Sequence, residues 1–223
     1  MVFGKKFQKY YRALRRRTIG FQYGDIWQGK NAEKWYESTD SIYPLVHNDF
    51  LNYLSDKHDI KSVLEVGCGP GVYPIKYKDI FEKFEYTGID ISKSAIEYCK
   101  THSDFNFLCD DFIQIDFPKK FDFVFSRSVI DHVYDIDQFL LKTVNLTKKY
   151  AYIYAYRGFF PTSENHDSKL DKNGSYYVNA LSKKQLEKTL LKSGLDKTEF
   201  IIRSQESGHN EWNIGTIIEI NKI

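Results

Sequence analysis

Residues 63–71 read VLEVGCGPG, a largely apolar run that leads directly into glycines at every second position. The run predicts a buried β-strand, and only glycine lets the following backbone turn tightly and approach a ligand closely. A dinucleotide-binding G-x-G-x-x-G motif is excluded, because Val72 and Pro74 stand where its third glycine is required. The Lys and Ser or Thr of a phosphate-binding P-loop are also absent after the last glycine. The stretch predicts a different ligand-binding turn, and a purely structural turn is the alternative.

A second predicted strand, residues 86–89, ends in Asp90, which follows Gly71 by 19 positions. A carboxylate at the tip of this strand is placed to accept hydrogen bonds from both ribose hydroxyls of an adenosine that lies across the strand ends. The alternative is that Asp90 only caps the next helix. The glycine turn and Asp90 together favour an adenosine-containing ligand.

Two motifs carry a resemblance to a known family. Residues 65–71 resemble the E-x-G-x-G-x-G first motif of class I S-adenosylmethionine-dependent methyltransferases, and residues 88–90, Gly-Ile-Asp, resemble their second. The resemblance covers about residues 63–156 and is specific to the superfamily rather than to one member. It implies S-adenosylmethionine as the cofactor and S-adenosylhomocysteine as the product.

The resemblance also implies a role for each motif residue. Gly67, Gly69 and Gly71 are expected to contact the methionine and ribose part of the cofactor. Glu65 is expected to order the loop, and Asp90 to bind the ribose. Neighbouring positions complete the predicted cofactor contacts: Cys68, Ile91, Phe112 and Ser126.

Residues 107–112, FLCDDF, resemble the third motif of the family. In that motif an acid binds the adenine amino group, and the next backbone N–H reaches a ring nitrogen. We assign the acid to Asp111, because the residues that follow it resemble a frequent family pattern. Asp110 is the alternative.

Residues 121–132, FDFVFSRSVIDH, resemble the fourth strand of the family and the loop beneath the reacting methyl group. The chemistry is an in-line displacement, in which the protein supplies alignment and a base for a protonated acceptor. His132 is the predicted base, with Asp131 beside it as the second catalytic candidate. A purely structural histidine is the alternative. Arg127 is a candidate for binding an anionic substrate, or else forms an ordinary surface ion pair.

Helix-like and strand-like stretches alternate from about residue 43, as a parallel sheet requires. We predict an α/β, Rossmann-like, doubly wound sheet of seven mostly parallel strands with an antiparallel last strand, plus an N-terminal helical extension. The domains are residues 1–42, a basic helix and flap, and residues 43–223, the methyltransferase domain. Predicted strands cover 62–66, 86–89, 105–108, 121–125, 150–156, 198–203 and 214–220. Predicted helices cover 45–57, 73–81, 93–102, 137–147 and 182–193.

The first 20 residues carry seven Lys or Arg and no acidic residue, with apolar side chains at helical spacing. They predict a basic amphipathic helix that packs on the main domain as a lid. Contact with an anionic membrane or with nucleic acid is the alternative. Residues 25–40, which contain Trp27 and Trp35, are predicted to form a flap or short helices before the core.

The acceptor is expected to lie among the strand ends and the appended segments. Nucleic-acid methylation is not favoured, because the fourth motif lacks the Asn or Asp followed by Pro-Pro that base-amine methylases carry. A small-molecule acceptor methylated on oxygen or nitrogen is predicted. The alternatives are an RNA or protein methyltransferase and a non-catalytic cofactor-binding partner. The loop 158–177 is a candidate cover for the substrate. The candidate acceptor contacts are Tyr36, Arg127, Tyr156, Arg157 and Trp212.

The composition fits this interpretation. The chain has 223 residues, a net charge of +2 and three cysteines without a CxxC pair, so we predict neither a metal site nor a nucleic-acid partner. No run approaches the about 20 apolar residues that a membrane span needs. We expect a soluble, cytoplasmic protein, and the sequence does not indicate an oligomeric state.

Overall fold

The computed structural model describes residues 23–24, 26–28, 30–42, 44–157, 162–172, 174–207 and 214–222. The basic segment 1–20 and Trp212 lie outside the described residues. In the described ranges the helices are α1 (Ala32–Ile42), α2 (Pro44–Ser55), α3 (Val72–Lys76), α4 (Lys78–Phe81), α5 (Lys93–His102), α6 (Ile136–Leu146) and α7 (Lys183–Lys192). The strands are β1 (Ser62–Val66), β2 (Glu85–Asp90), β3 (Asn106–Cys109), β4 (Phe121–Arg127), β5 (Thr147–Ala155), β6 (Asp167–Leu170), β7 (Tyr177–Ala180), β8 (Phe200–Glu206) and β9 (Ile214–Asn221).

Seven strands form one sheet in the order β3-β2-β1-β4-β5-β9-β8. The first five run parallel, whereas β9 is antiparallel to both β5 and β8. Only seven residues connect β8 to β9, too few for the crossover that a parallel pair needs, so the two strands pair as antiparallel neighbours. The predicted fold class is confirmed.

Both faces of the sheet are covered by helices, which explains why its central strands are almost continuously apolar. Successive residues of β4 alternate between the faces. Phe123 and Phe125 pack with Phe50 of α2 on one face, and Val124 packs with Phe139 of α6 on the other. All five residues are buried.

Two segments differ from their predictions. The predicted helix 73–81 is interrupted at Tyr77, whose φ of −113° and ψ of 40° leave the helical region, so it forms the two short helices α3 and α4. The predicted loop 158–177 contains β6, which pairs with β7 in a separate hairpin. All four β6 residues are exposed, so the strand lacks the alternation of buried apolar and exposed polar residues that would predict it from the sequence.

The chain order reverses between β1 and β4, because β2 lies on one side of β1 and β4 on the other. The carboxyl ends of these parallel strands meet at one edge, and the loops that follow them diverge and leave a crevice. This crevice holds the candidate site. None of the described helices is long and apolar enough to cross a membrane.

Candidate functional site

A cavity of about 250 Å³ lies at the carboxyl ends of β1, β2 and β4. Its floor is the glycine turn after β1, and its walls come from the ends of β2 and β3, from the loop after β4 and from residues 23–35. The motif residues that line it are Glu65, Gly67, Cys68, Gly69, Asp90, Ile91, Asp110, Asp111, Phe112, Arg127 and His132.

The glycine turn is held tightly against its neighbours. The backbone N–H groups of Gly67 and Cys68 both donate to the carbonyl of Ile89, at 2.7 and 3.0 Å. Gly67 has a φ of +73°, and a Cβ on it would lie 2.1 Å from Cγ2 of Val129. Only a residue without a side chain fits this conformation and this space, so the turn presents bare backbone to the cavity.

Asp90, at the tip of β2, has a buried carboxylate. One oxygen accepts from the N–H of Gly69 at 2.8 Å and the other from the N–H of Ser92 at 2.7 Å. Burial raises the pKa of Asp90, while these hydrogen bonds and the charge of Lys30 oppose the rise. Each oxygen keeps a free lone pair, so the carboxylate can accept further hydrogen bonds from a ligand in the cavity.

Glu65 is the last residue but one of β1 and is also buried. Its Oε2 accepts a 2.5 Å hydrogen bond from the hydroxyl of Tyr86. Burial raises the pKa of Glu65 to about 8, although this hydrogen bond and the charge of Arg127 lower it. Glu65 is therefore mostly protonated at neutral pH.

Asp110 and Asp111, after β3, both line the cavity. The Asp110 carboxylate accepts from the N–H of Asp111 at 2.7 Å, and that of Asp111 accepts from the N–H of Ile113 at 2.9 Å. Each acid thus has one oxygen engaged by the local turn. The geometry leaves both acids available to a ligand.

His132 also lines the cavity, with both ring nitrogens engaged. Nδ1 lies 2.9 Å from the carbonyl of Tyr177, so Nδ1 carries the proton and donates. Nε2 then accepts from the hydroxyl of Tyr156 at 3.0 Å. Burial lowers the pKa of His132 to about 4, so the ring is neutral at neutral pH.

Asp131 does not line the cavity. Its fully buried carboxylate accepts from the backbone N–H groups of Tyr156 and Arg157 at 3.2 and 3.1 Å, and Nη1 of Arg157 lies 3.9 Å away. Burial raises the pKa of Asp131 to about 7 against these interactions. The carboxylate ties the loop after β4 to the chain that follows β5, and so fixes where His132 and Tyr156 stand.

Tyr23, Trp27 and Lys30, which precede α1, line one wall of the cavity. The hydroxyl of Ser92 donates to the carbonyl of Trp27 at 2.9 Å, and the N–H of Gly24 donates to the carbonyl of Ser175 at 2.8 Å. The Trp27 ring lies 5.6 Å from that of His132. Trp35 of α1 covers Gly69, on which a Cβ would lie 3.0 Å from the indole ring.

Several predicted residues lie away from the cavity. Ser126 and Gly71 are buried but do not line the cavity, and the Tyr36 ring packs 5.5 Å from that of Tyr98. Arg157 pairs with Asp131. Tyr156, in contrast, lines the cavity as predicted for an acceptor contact. The sequence did not predict that Tyr23, Lys30, Tyr73 and Val129 line the cavity. Tyr23 contacts Trp27 and Lys30 contacts Trp35, the two tryptophans of the predicted flap.

The family model of a methyltransferase domain matches residues 57–206, which is more than half of the chain. The chain belongs to the class I S-adenosylmethionine-dependent methyltransferases. A ubiquinone biosynthesis O-methyltransferase of Pelagibacter ubique is 32% identical over 54% of this methyltransferase and 58% of that protein. The Rhizobium leguminosarum protein of the same name is 25% identical over 85% of this chain and 87% of its own. The magnesium protoporphyrin IX methyltransferase of Synechocystis, crystallised with S-adenosylhomocysteine, shares the fold, with a TM-score of 0.59, 14% identity and coverage of 99% and 96%.

The residues of this methyltransferase fit the cofactor of its family. The turn at Gly67 and Gly69 has no room for a Cβ and offers backbone to the ligand, while Asp90 offers carboxylate oxygens to a ribose. The cavity is large enough for part of the nucleoside and is bounded by the Trp35 ring. Among the residues the structure describes, no group of three or more His, Cys, Asp or Glu is arranged to hold a metal ion.

Proposed function

We propose that this methyltransferase transfers the methyl group of S-adenosylmethionine to a hydroxyl oxygen of a small aromatic molecule. One observation carries the proposal: neutral His132 and Tyr156 line the cavity amid aromatic rings. The ring centres of Trp27, Tyr176 and Tyr156 lie 5.6, 5.1 and 5.6 Å from that of His132. Such rings favour a planar apolar acceptor, because aromatic groups attract each other in stacked or edge-to-face contact.

The names of the two curated relatives support oxygen as the methylated atom, since both are O-methyltransferases. The glycine turn and Asp90 would hold the cofactor, which supplies an electrophilic methyl group. Nε2 of His132 accepts a hydrogen bond from the acceptor hydroxyl, with Nδ1 fixed by the Tyr177 carbonyl, and the proton that the hydroxyl loses on methylation passes to water. Tyr156 donates to the same nitrogen, so the acceptor displaces that hydroxyl or hydrogen-bonds to it. Asp131 is a positioning residue for this pair.

The test is S-adenosylhomocysteine release from S-adenosylmethionine with three acceptors: a catechol, ethanolamine and glucose. We expect turnover with the catechol alone, and a fall in kcat for His132→Gln that exceeds any fall in cofactor affinity. Turnover with ethanolamine alone, with the product methylated on nitrogen, would contradict an oxygen acceptor, and turnover with glucose alone would contradict an aromatic one. A cytoplasmic location and membrane contact through residues 1–20 stay predictions.

A further inference from the structure

Arg127, the last residue of β4, brings a half-buried cation to the cavity wall. Its guanidinium lies 4.9 Å from the centre of the Tyr73 ring. Its Nη1 is buried and has no hydrogen-bond partner among the residues that the structure describes. A guanidinium does not lose its proton in proteins, so the buried Nη1 keeps N–H groups that need an acceptor, which an anion in the cavity would supply.

The acidic side chain that interacts with Arg127, Glu65, does not supply that anion. Glu65 interacts electrostatically with Arg127, but burial raises its pKa to about 8 even so. Its Oε2 also accepts the hydrogen bond from Tyr86. A largely protonated Glu65 leaves the charge of Arg127 uncompensated on the side that faces the cavity.

The sheet register places Arg127 beside the glycine turn. Val66 pairs with Ser126, so the residues that follow them, Gly67 and Arg127, lie next to each other at the ends of two neighbouring parallel strands. Arg127 also shares the face of Phe125, since both contact Tyr73 at the start of α3. The guanidinium and the bare backbone of the turn therefore border the same part of the cavity.

We propose that Arg127 binds the α-carboxylate of the cofactor's methionine part rather than the methyl acceptor. A guanidinium and a carboxylate match in shape and charge, and two parallel hydrogen bonds can join them. Lys30, the other described cation on the wall, lies 4.2 Å from the Trp35 ring centre and interacts electrostatically with Asp90, so it belongs to the ribose end. The assignment rests on the family cofactor and not on the identity of the acceptor.

The consequence is selectivity between two ligands that differ in one group. Decarboxylated S-adenosylmethionine keeps the adenosine, the sulfonium and the amine and lacks only the carboxylate. Arg127 is expected to make the protein prefer S-adenosylmethionine over this compound. The preference is a property of binding and does not require turnover.

The experiment is isothermal titration calorimetry of both compounds against wild type, Arg127→Met, Arg127→Lys and the control Lys30→Met. We expect Arg127→Met to bind S-adenosylmethionine about 10- to 100-fold more weakly, which is the usual effect of a lost charged hydrogen bond. The same variant should bind the decarboxylated compound as wild type does. Arg127→Lys should keep part of the preference, and Lys30→Met should weaken both ligands by the same factor.

Three results would overturn the assignment. An equal loss of affinity for both ligands in Arg127→Met would mean that the side chain only shapes the cavity. Unchanged affinity for both would mean that Arg127 does not bind the cofactor and could contact only the methyl acceptor. Equal affinity of wild type for the two compounds would show that no residue recognises the carboxylate, even if the variants failed to fold. If wild type bound neither compound, the cofactor itself would be wrong.

Discussion

Replacing Gly67 with alanine tests whether the turn is packed as tightly as the structure shows. At a φ of +73°, alanine costs about 1–2 kcal/mol of unfolding free energy. The new Cβ would stand 2.1 Å from Cγ2 of Val129, and displacing a packed side chain adds about 1–3 kcal/mol. Gly194 is the matched control, because its φ is +94° and no atom lies within 4 Å of a Cβ built on it. Gly194→Ala should therefore cost only the backbone part, about 1–2 kcal/mol.

The assays are urea unfolding and calorimetric titration with S-adenosylhomocysteine. We expect Gly67→Ala to lose more stability than Gly194→Ala and to lose most of its affinity for the ligand, because Val129 moves into the cavity. Gly194→Ala should bind as wild type does. Equal stability losses together with intact binding in Gly67→Ala would refute the close packing of the turn.

Three further changes test the surroundings of the site. Asp122→Asn should lower the unfolding free energy by about 1–3 kcal/mol at pH 7, because the carboxylate loses its charged hydrogen bonds with the N–H groups of Lys61 and Ser62. Burial would raise the pKa of Asp122, but these hydrogen bonds hold it below its usual range. This contribution is present above the ordinary pKa and is lost on acidification through the lower folded pKa, so the variant should show a shallower acid transition in circular dichroism. The ring resonances of His132 in NMR should not titrate above pH 5, and its contribution to stability should fall as the pH drops from 6.5 towards 4. Asn179→Ala should destabilise the protein by about 2–4 kcal/mol, because Nδ2 donates to two buried carbonyls of the His132 loop at 2.8 and 2.9 Å.

Each of these has a contradicting result. An unchanged acid transition in Asp122→Asn would mean that the carboxylate is not stabilised by its hydrogen bonds. A His132 midpoint near 6.5 would show an exposed ring. Full stability of Asn179→Ala would show that the two carbonyls find other donors.

The strands and the glycine turn were predictable because their signal is local. Residues 62–66 and 93–102 were predicted with the bounds that β1 and α5 have. An apolar strand, a capping Ser92 and glycines at fixed spacing each specify backbone within a few residues. The interruption at Tyr77 and the exposed strand β6 carry no such local pattern.

The lining of the cavity was less predictable, because adjacent residues face opposite ways. On β4, Arg127 lines the cavity while Ser126 is buried and does not line it, as the two-residue period of a strand requires. On α1, Trp35 covers the glycine turn while Tyr36 packs on Tyr98, and the sequence alone did not fix the rotation of this helix. Family motifs identify which segments border the cavity, whereas the orientation of each strand or helix decides which of its side chains reach the ligand.

The most direct test of the account is calorimetric titration of wild type and Asp90→Ala with S-adenosylhomocysteine and, separately, with NAD. We expect wild type to bind S-adenosylhomocysteine and not NAD, and Asp90→Ala to lose at least about tenfold in affinity, because a buried charged acceptor is removed from the ribose. Binding of NAD in its place, or S-adenosylhomocysteine affinity that Asp90→Ala leaves unchanged, would contradict it.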